Sequence, residues 1–153
     1  MKTTSRRVRS LAYLDGTGHD AVEVGAKAAF LDRVLGDGYP MPSSVVVTAA
    51  AYTRVVEERS ISLMLKDLRT SALPDPHRAQ SEAAAIERAF MNVVLPDPLQ
   101  RSLQRIADEL LSDSSATVHA SVVNEGLERN GTPGQYPSIS GIADFSGLTR
   151  AVR

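Results

Sequence analysis

The sequence predicts a mixed α/β (α+β) fold, a small sheet with helices packed on it, two of them forming a helical hairpin. Three observations carry this expectation. Short β-branched runs bounded by turn residues stand towards both ends of the chain, stretches with an apolar residue every three or four positions fill its middle, and Pro-rich breaks divide those stretches. With 153 residues, 42% of them hydrophobic, the chain suits one domain spanning 1–153 with one core.

In chain order, Val8 to Leu14 reads as a strand, closed by the turn residues Asp15-Gly16-Thr17-Gly18-His19. Ala26, Phe30, Leu31 and Val34 fall at helical spacing, which predicts a helix from Gly25 to Leu35 that ends at Gly36-Asp37-Gly38. Tyr39-Pro40-Met41-Pro42 must be extended, because each proline biases its predecessor away from helix. It leads into Val45-Val46-Val47-Thr48, a run without polar alternation and so expected to be a strand buried on both faces. From Ala49 to about Arg69 the pattern is helical, until Leu73-Pro74-Asp75-Pro76 breaks it. A helix from Pro76 to about Val93 follows, with Ala79, Ala83, Ile86, Phe90 and Val94 at three- and four-residue spacing. At the next break, Leu95-Pro96-Asp97-Pro98, Asp97 is placed to cap and Pro98 to open a helix over Leu99–Leu111. That helix sets Leu103, Ile106 and Leu110 against Arg101, Gln104, Arg105 and Asp108. The two break-plus-helix units are the expected hairpin. Ala116 to Val123 reads as a second strand region, and residues 124–147, rich in Gly, Pro and Ser, read as one long loop.

Composition narrows the function. Lys and Arg number 17 against 18 Asp and Glu, so the excess positive charge that drives binding to nucleic acid backbones is missing. No apolar run approaches the roughly 20 residues of a spanning helix, and the apolar stretch after the basic start is too short for a signal peptide. There is no cysteine, hence no disulfide framework and no thiolate chemistry, and a cytoplasmic location is the simplest expectation.

Few residues stand out chemically. Gly16-Thr17-Gly18-His19-Asp20-Ala21 matches the Gly-x-Gly-x-x-Ala form of a dinucleotide fingerprint, but that motif needs a helix opening directly at the glycines, and helical spacing begins only near Gly25. A plain turn is the simpler reading. Gly25-Ala26-Lys27 puts a glycine at a helix start, where open amides attract an anion, and a lysine two residues on can reach the same phosphate. Only three of the 17 basic residues are lysines, which makes Lys27 conspicuous. No Walker A motif is present, since the glycine five residues upstream is absent and Ala28 stands where Ser or Thr would hold magnesium. His119 and Ser121, two apart, share a face of the expected strand. The carboxylate pairs Asp15/Asp20 and Glu125/Glu128 have no diagnostic spacing, no second histidine stands at metal-ligand spacing to His119, and no Gly-x-Ser-x-Gly elbow exists.

Three stretches in order are more specific than any one of them. Val22-Glu23-Val24-Gly25-Ala26-Lys27-Ala28-Ala29-Phe30-Leu31 is similar to a Val-Gly-Gly-Lys-x-Ala-x-Leu pattern. Gly38-Tyr39-Pro40-Met41-Pro42, running through Val45-Val46-Val47-Thr48 to Ala51-Tyr52, is similar to Gly-x-Pro-Val-Pro-Pro-Gly-Phe-x-Val-Thr-x-x-Ala-Tyr, and Leu95-Pro96-Asp97-Pro98-Leu99 to Leu-Pro-x-x-Leu. Together they resemble the N-terminal nucleotide-binding region of the phosphoenolpyruvate synthase and pyruvate phosphate dikinase family, shared with rifampin phosphotransferase. The resemblance covers roughly residues 8 to 123. Further on, the family's Val-Ala-Val-Arg-Ser-Ser-Ala-Thr-Ala-Glu-Asp aligns with residues 116–126, placing His119 at the phosphate-contacting arginine and keeping Ser121 and Glu125. Asp144-Phe145-Ser146-Gly147 resembles the family's Ser-Phe-Ala-Gly lid loop.

The resemblance implies the first half of an ATP-grasp fold, with Gly25, Lys27, His119 and Ser121 at ATP and Mg supplied with the nucleotide. It implies the ATP-binding portion of a split or truncated phosphotransferase, whose turnover needs a partner chain bearing the metal ligands and acceptor, or a homo-oligomer. Two alternatives stay open: a non-catalytic nucleotide- or partner-binding remnant, and recruitment to other chemistry with His119 and Glu125 as acid and base.

Overall fold

A computed structural model describes residues 9–70, 76–123 and 136–153. Among them are seven helices and two two-stranded antiparallel sheets, a mixed α/β arrangement as expected. No helix of the described residues is long and apolar enough to cross a membrane.

Strand β1 (Leu11–Tyr13) pairs with β2 (Val45–Val47), Leu11 opposite Val47 and Tyr13 opposite Val45. Successive side chains on a strand point to opposite faces, so Leu11, Val45 and Val47 join the main core while Ala12 and Val46 join a smaller cluster. This explains the missing polar alternation of the valine run. Its three valines are nevertheless only half-buried, against the expectation of full burial, because β2 has a single partner strand.

The loop after β1 leads into α1 (Ala21–Val24), a turn of helix absent from the sequence reading and capped by the Asp20 carboxylate accepting from the Val22 N–H. Gly25 separates it from α2 (Ala26–Gly36). Helix α3 (Ala49–Val56) is capped by Thr48, and α4 (Arg59–Thr70) follows a short break where one continuous stretch was expected. Thr48 is fully buried and its hydroxyl donates to the Arg9 carbonyl at 2.7 Å, so one side chain both caps α3 and ties it to the chain that leads into β1.

Helix α5 (Pro76–Asn92) and α6 (Asp97–Leu110) match the predicted spans, with Pro96 rather than Asp97 at the cap. Their partners differ from the expected hairpin: α5 packs chiefly on α4, and α6 on α7 (Phe145–Val152). The cause lies in α6, which buries Leu99, Leu103, Ile106 and Ala107 in the main core beside Ile61 from α4 and Leu148 from α7.

Strand β3 (Ala116–His119) pairs with β4 (Ser138–Ile142) with one irregular step between Ala116 and Val118. The 124–147 segment is thus not one loop. Residues 124–135 lie outside the described residues, but Ser138–Ile142 is a strand, and Asp144 caps α7 by accepting from the Gly147 N–H. Instead of a lid, Asp144 to Gly147 opens a helix whose Leu148 is buried in the core.

Candidate functional site

The first turn of α2 collects most of the residues singled out in the sequence. Gly25, at φ +84°, is buried against Ser121, and a Cβ there would run into the Ser121 carbonyl and hydroxyl. This contact brings the chain leaving β3 flush onto the helix start. The Ala26 N–H donates to the Val122 carbonyl at 3.0 Å, and the Ala28 N–H to Ser121 Oγ at 3.1 Å. The expectation of open amides is therefore corrected: the protein itself satisfies two of them. Ser121 lies beyond the end of β3 instead of sharing a strand face with His119.

Lys27 sits between those two anchored amides. It is exposed and makes no hydrogen bond or ion pair among the described residues. His119, at the end of β3, is exposed too, with a hydrogen bond linking its Nδ1 and Ser138 Oγ at 2.7 Å. Only Ala120 separates it from Ser121, so Lys27 and His119 flank one junction. Glu125 lies outside the described residues.

The residue that sequence reasoning missed is Asp32, fully buried in α2. Its Oδ1 accepts from the Gly16 N–H at 2.8 Å, and its Oδ2 from the N–H groups of Gly18 and His19 at 2.9 and 2.8 Å and from the His19 ring at 2.8 Å. Burial pushes the Asp32 carboxyl up, but the His19 backbone and ring and the Gly16 and Gly18 amides outweigh it and hold the group well below the usual carboxylate range. A sequence signal existed, since Asp32 falls four residues after Ala28 and three after Ala29, on the face these alanines bury. Beside it the Thr17 hydroxyl and N–H donate to the Asp15 carboxylate and lower it as well.

Asp32 also decides what the Gly16–His19 loop cannot do. Its backbone donors face an internal carboxylate, where a dinucleotide site would turn them to a pyrophosphate. Asp15, His19 and Asp32 bring ligand-type atoms within 4.8 Å of one another. The Asp32 oxygens are already engaged by four donors, three of them amides, so this group is an anion held by N–H groups and does not fit a divalent cation.

Residues 21–153 match the family described as pyruvate phosphate dikinase, AMP/ATP-binding domain, and the chain belongs to that family. It is a nucleotide-binding portion of it. The phosphoenolpyruvate synthase of Aeropyrum pernix is 30% identical over 98 residues, 62% of this chain and 12% of that protein, so the chain spans about an eighth of the relative's length.

With the Ala26 and Ala28 amides occupied, the α2 junction presents the Lys27 side chain to solvent. Lys27 offers an unengaged ammonium with three donors, suited to phosphate oxygens. For magnesium, the group formed by Asp15, His19 and Asp32 among the described residues is no fitting ligand set.

Proposed function

We propose that this chain is the ATP-binding portion of a phosphoenolpyruvate synthase- or dikinase-like phosphotransferase, with Lys27 as the phosphate contact. One observation carries the reading: in the first turn of α2, within the matched span, stands an exposed lysine that no described residue engages. What favours a ligand role is its setting, between two amides pinned to the segment that follows His119.

The chemistry assigned to these residues is binding and charge neutralisation. Lys27 would hold a phosphate oxygen, and His119 would offer its remaining ring nitrogen to the same group, a weaker contact than a permanently charged bidentate arginine. This chain is proposed to form the first half of an ATP-grasp unit in the cytoplasm, with the other half, the magnesium ligands and the phosphoryl acceptor coming from a partner chain or a second copy. A second reading, nucleotide binding without turnover, draws on the occupied amides of Ala26 and Ala28, which leave fewer groups to stabilise a transferring phosphoryl.

Calorimetry with ATP and magnesium tests the binding. Lys27→Ala is expected to weaken it by about tenfold or more, since a charge-assisted contact contributes about 1.5–3 kcal/mol. Unchanged affinity would remove Lys27 from the site. Phosphoryl transfer appearing only with a co-purifying chain supports the split enzyme, and binding with no transfer in that complex supports the second reading.

A further inference from the structure

The family resemblance places Ser121 at the ligand, yet its hydroxyl is turned onto the protein. Across 93 positions of sequence, Ser121 Oγ accepts the Ala28 N–H, and the neighbouring Val122 carbonyl accepts the Ala26 N–H. These bonds bracket Lys27. Gly25 completes the arrangement, because only a hydrogen atom on its Cα lets the Ser121 backbone lie against the turn.

We infer that Ser121 is a positioning residue for Lys27: it caps the first turn of α2 with its side chain, and so fixes the lysine relative to the end of β3, where His119 stands. The inference rests on the proposed phosphate role of Lys27. Ordinarily a helix receives its side-chain cap from the residue just before it. Gly25 has no side chain to offer, so the N-cap residue makes no side-chain hydrogen bond to the turn. The cap comes instead from a distant segment, so one hydrogen bond serves as a helix cap and as a tie between α2, which carries Lys27, and the segment that follows His119. A flexible four-carbon stem reaches a phosphate oxygen efficiently only from a fixed origin.

A double-mutant cycle separates positioning from general stability. Mg·ATP affinity, read by displacement of a fluorescent ATP analogue, is compared in wild type, Ser121→Ala, Lys27→Ala and the double variant. Ser121→Ala is expected to weaken binding about three- to tenfold in wild type, the size of a lost cap, and to have almost no effect once Lys27 is gone. Hydrogen exchange at the Ala28 amide should accelerate while the Leu103 amide in the core is unchanged. Ser121→Thr, which keeps the acceptor, should restore affinity. If Ser121→Ala folds too poorly to assay, loss of affinity in Ser121→Thr with the fold intact overturns the inference. An equal loss in both backgrounds overturns it alone, leaving the Lys27 reading standing. Unchanged affinity in Lys27→Ala overturns both.

Discussion

Replacing Asp32 by alanine leaves three main-chain N–H groups and the His19 ring without their acceptor, around a position with no exposure to water. Each stranded donor costs about 1–3 kcal/mol, and breaking a buried, hydrogen-bonded charge typically costs about 3–5 kcal/mol in all. The four losses do not add fully, since Gly18 and His19 relax towards solvent once released. A net loss of about 3–5 kcal/mol is expected, a large share of the roughly 5–15 kcal/mol by which a domain is stable. Asp32→Asn should recover little, because its amide NH2 would face other donors. Acid supplies the internal control. The Asp32 carboxyl lies below the usual range when folded and near 4 when unfolded, so its contribution is fully present above about pH 5 and is lost as pH falls through the folded-state value. Urea unfolding followed by far-UV circular dichroism at pH 7 and pH 3.5 therefore shows a gap between wild type and Asp32→Ala that begins to narrow in acid. A gap below about 1 kcal/mol at pH 7, or one that widens at pH 3.5, would refute the reasoning.

Other substitutions probe the remaining supports. Gly25→Ala combines an L residue at φ +84° with a Cβ directed into Ser121, and should destabilise by about 2–4 kcal/mol and speed exchange at the Ala26 amide, measurable by denaturation and hydrogen exchange. Thr48→Val removes the α3 cap and the bond to the Arg9 carbonyl, an expected loss of about 1–3 kcal/mol in urea unfolding. Leu103→Ala, at the buried centre of α6, should cost about 2–5 kcal/mol; a value near zero would mean that α6 does not hold the core.

The Asp32 and Ser121 hydrogen bonds bear on how the nucleotide-binding portion is built. Both side chains belong to ties between α2 and distant chain, one to the loop before it and one to the segment after β3. If Lys27 acts on phosphate, α2 is the element whose placement decides affinity, and variants that loosen either tie should affect binding before they unfold the core.

Where local physics was sufficient, the sequence was readable by itself. Helical spacing and the proline breaks at Pro76 and Leu95–Pro98 placed α2, α5 and α6 to within a residue or two, since those signals act between neighbours in the chain. The three motif stretches likewise pointed to the family that residues 21–153 match. Partner choice was not readable: α5 turned to α4 and α6 to α7, because an apolar helix face specifies burial without naming what covers it. The site divides the same way. Gly25 and Lys27 were visible in the sequence, while the occupation of their neighbouring amides was decided by a hydroxyl 93 residues from Ala28. Asp32, an ordinary helical acid in one dimension, acquired its role only when the fold carried Gly16, Gly18 and His19 back over it, because hydrogen bonds follow distance in space and not along the chain.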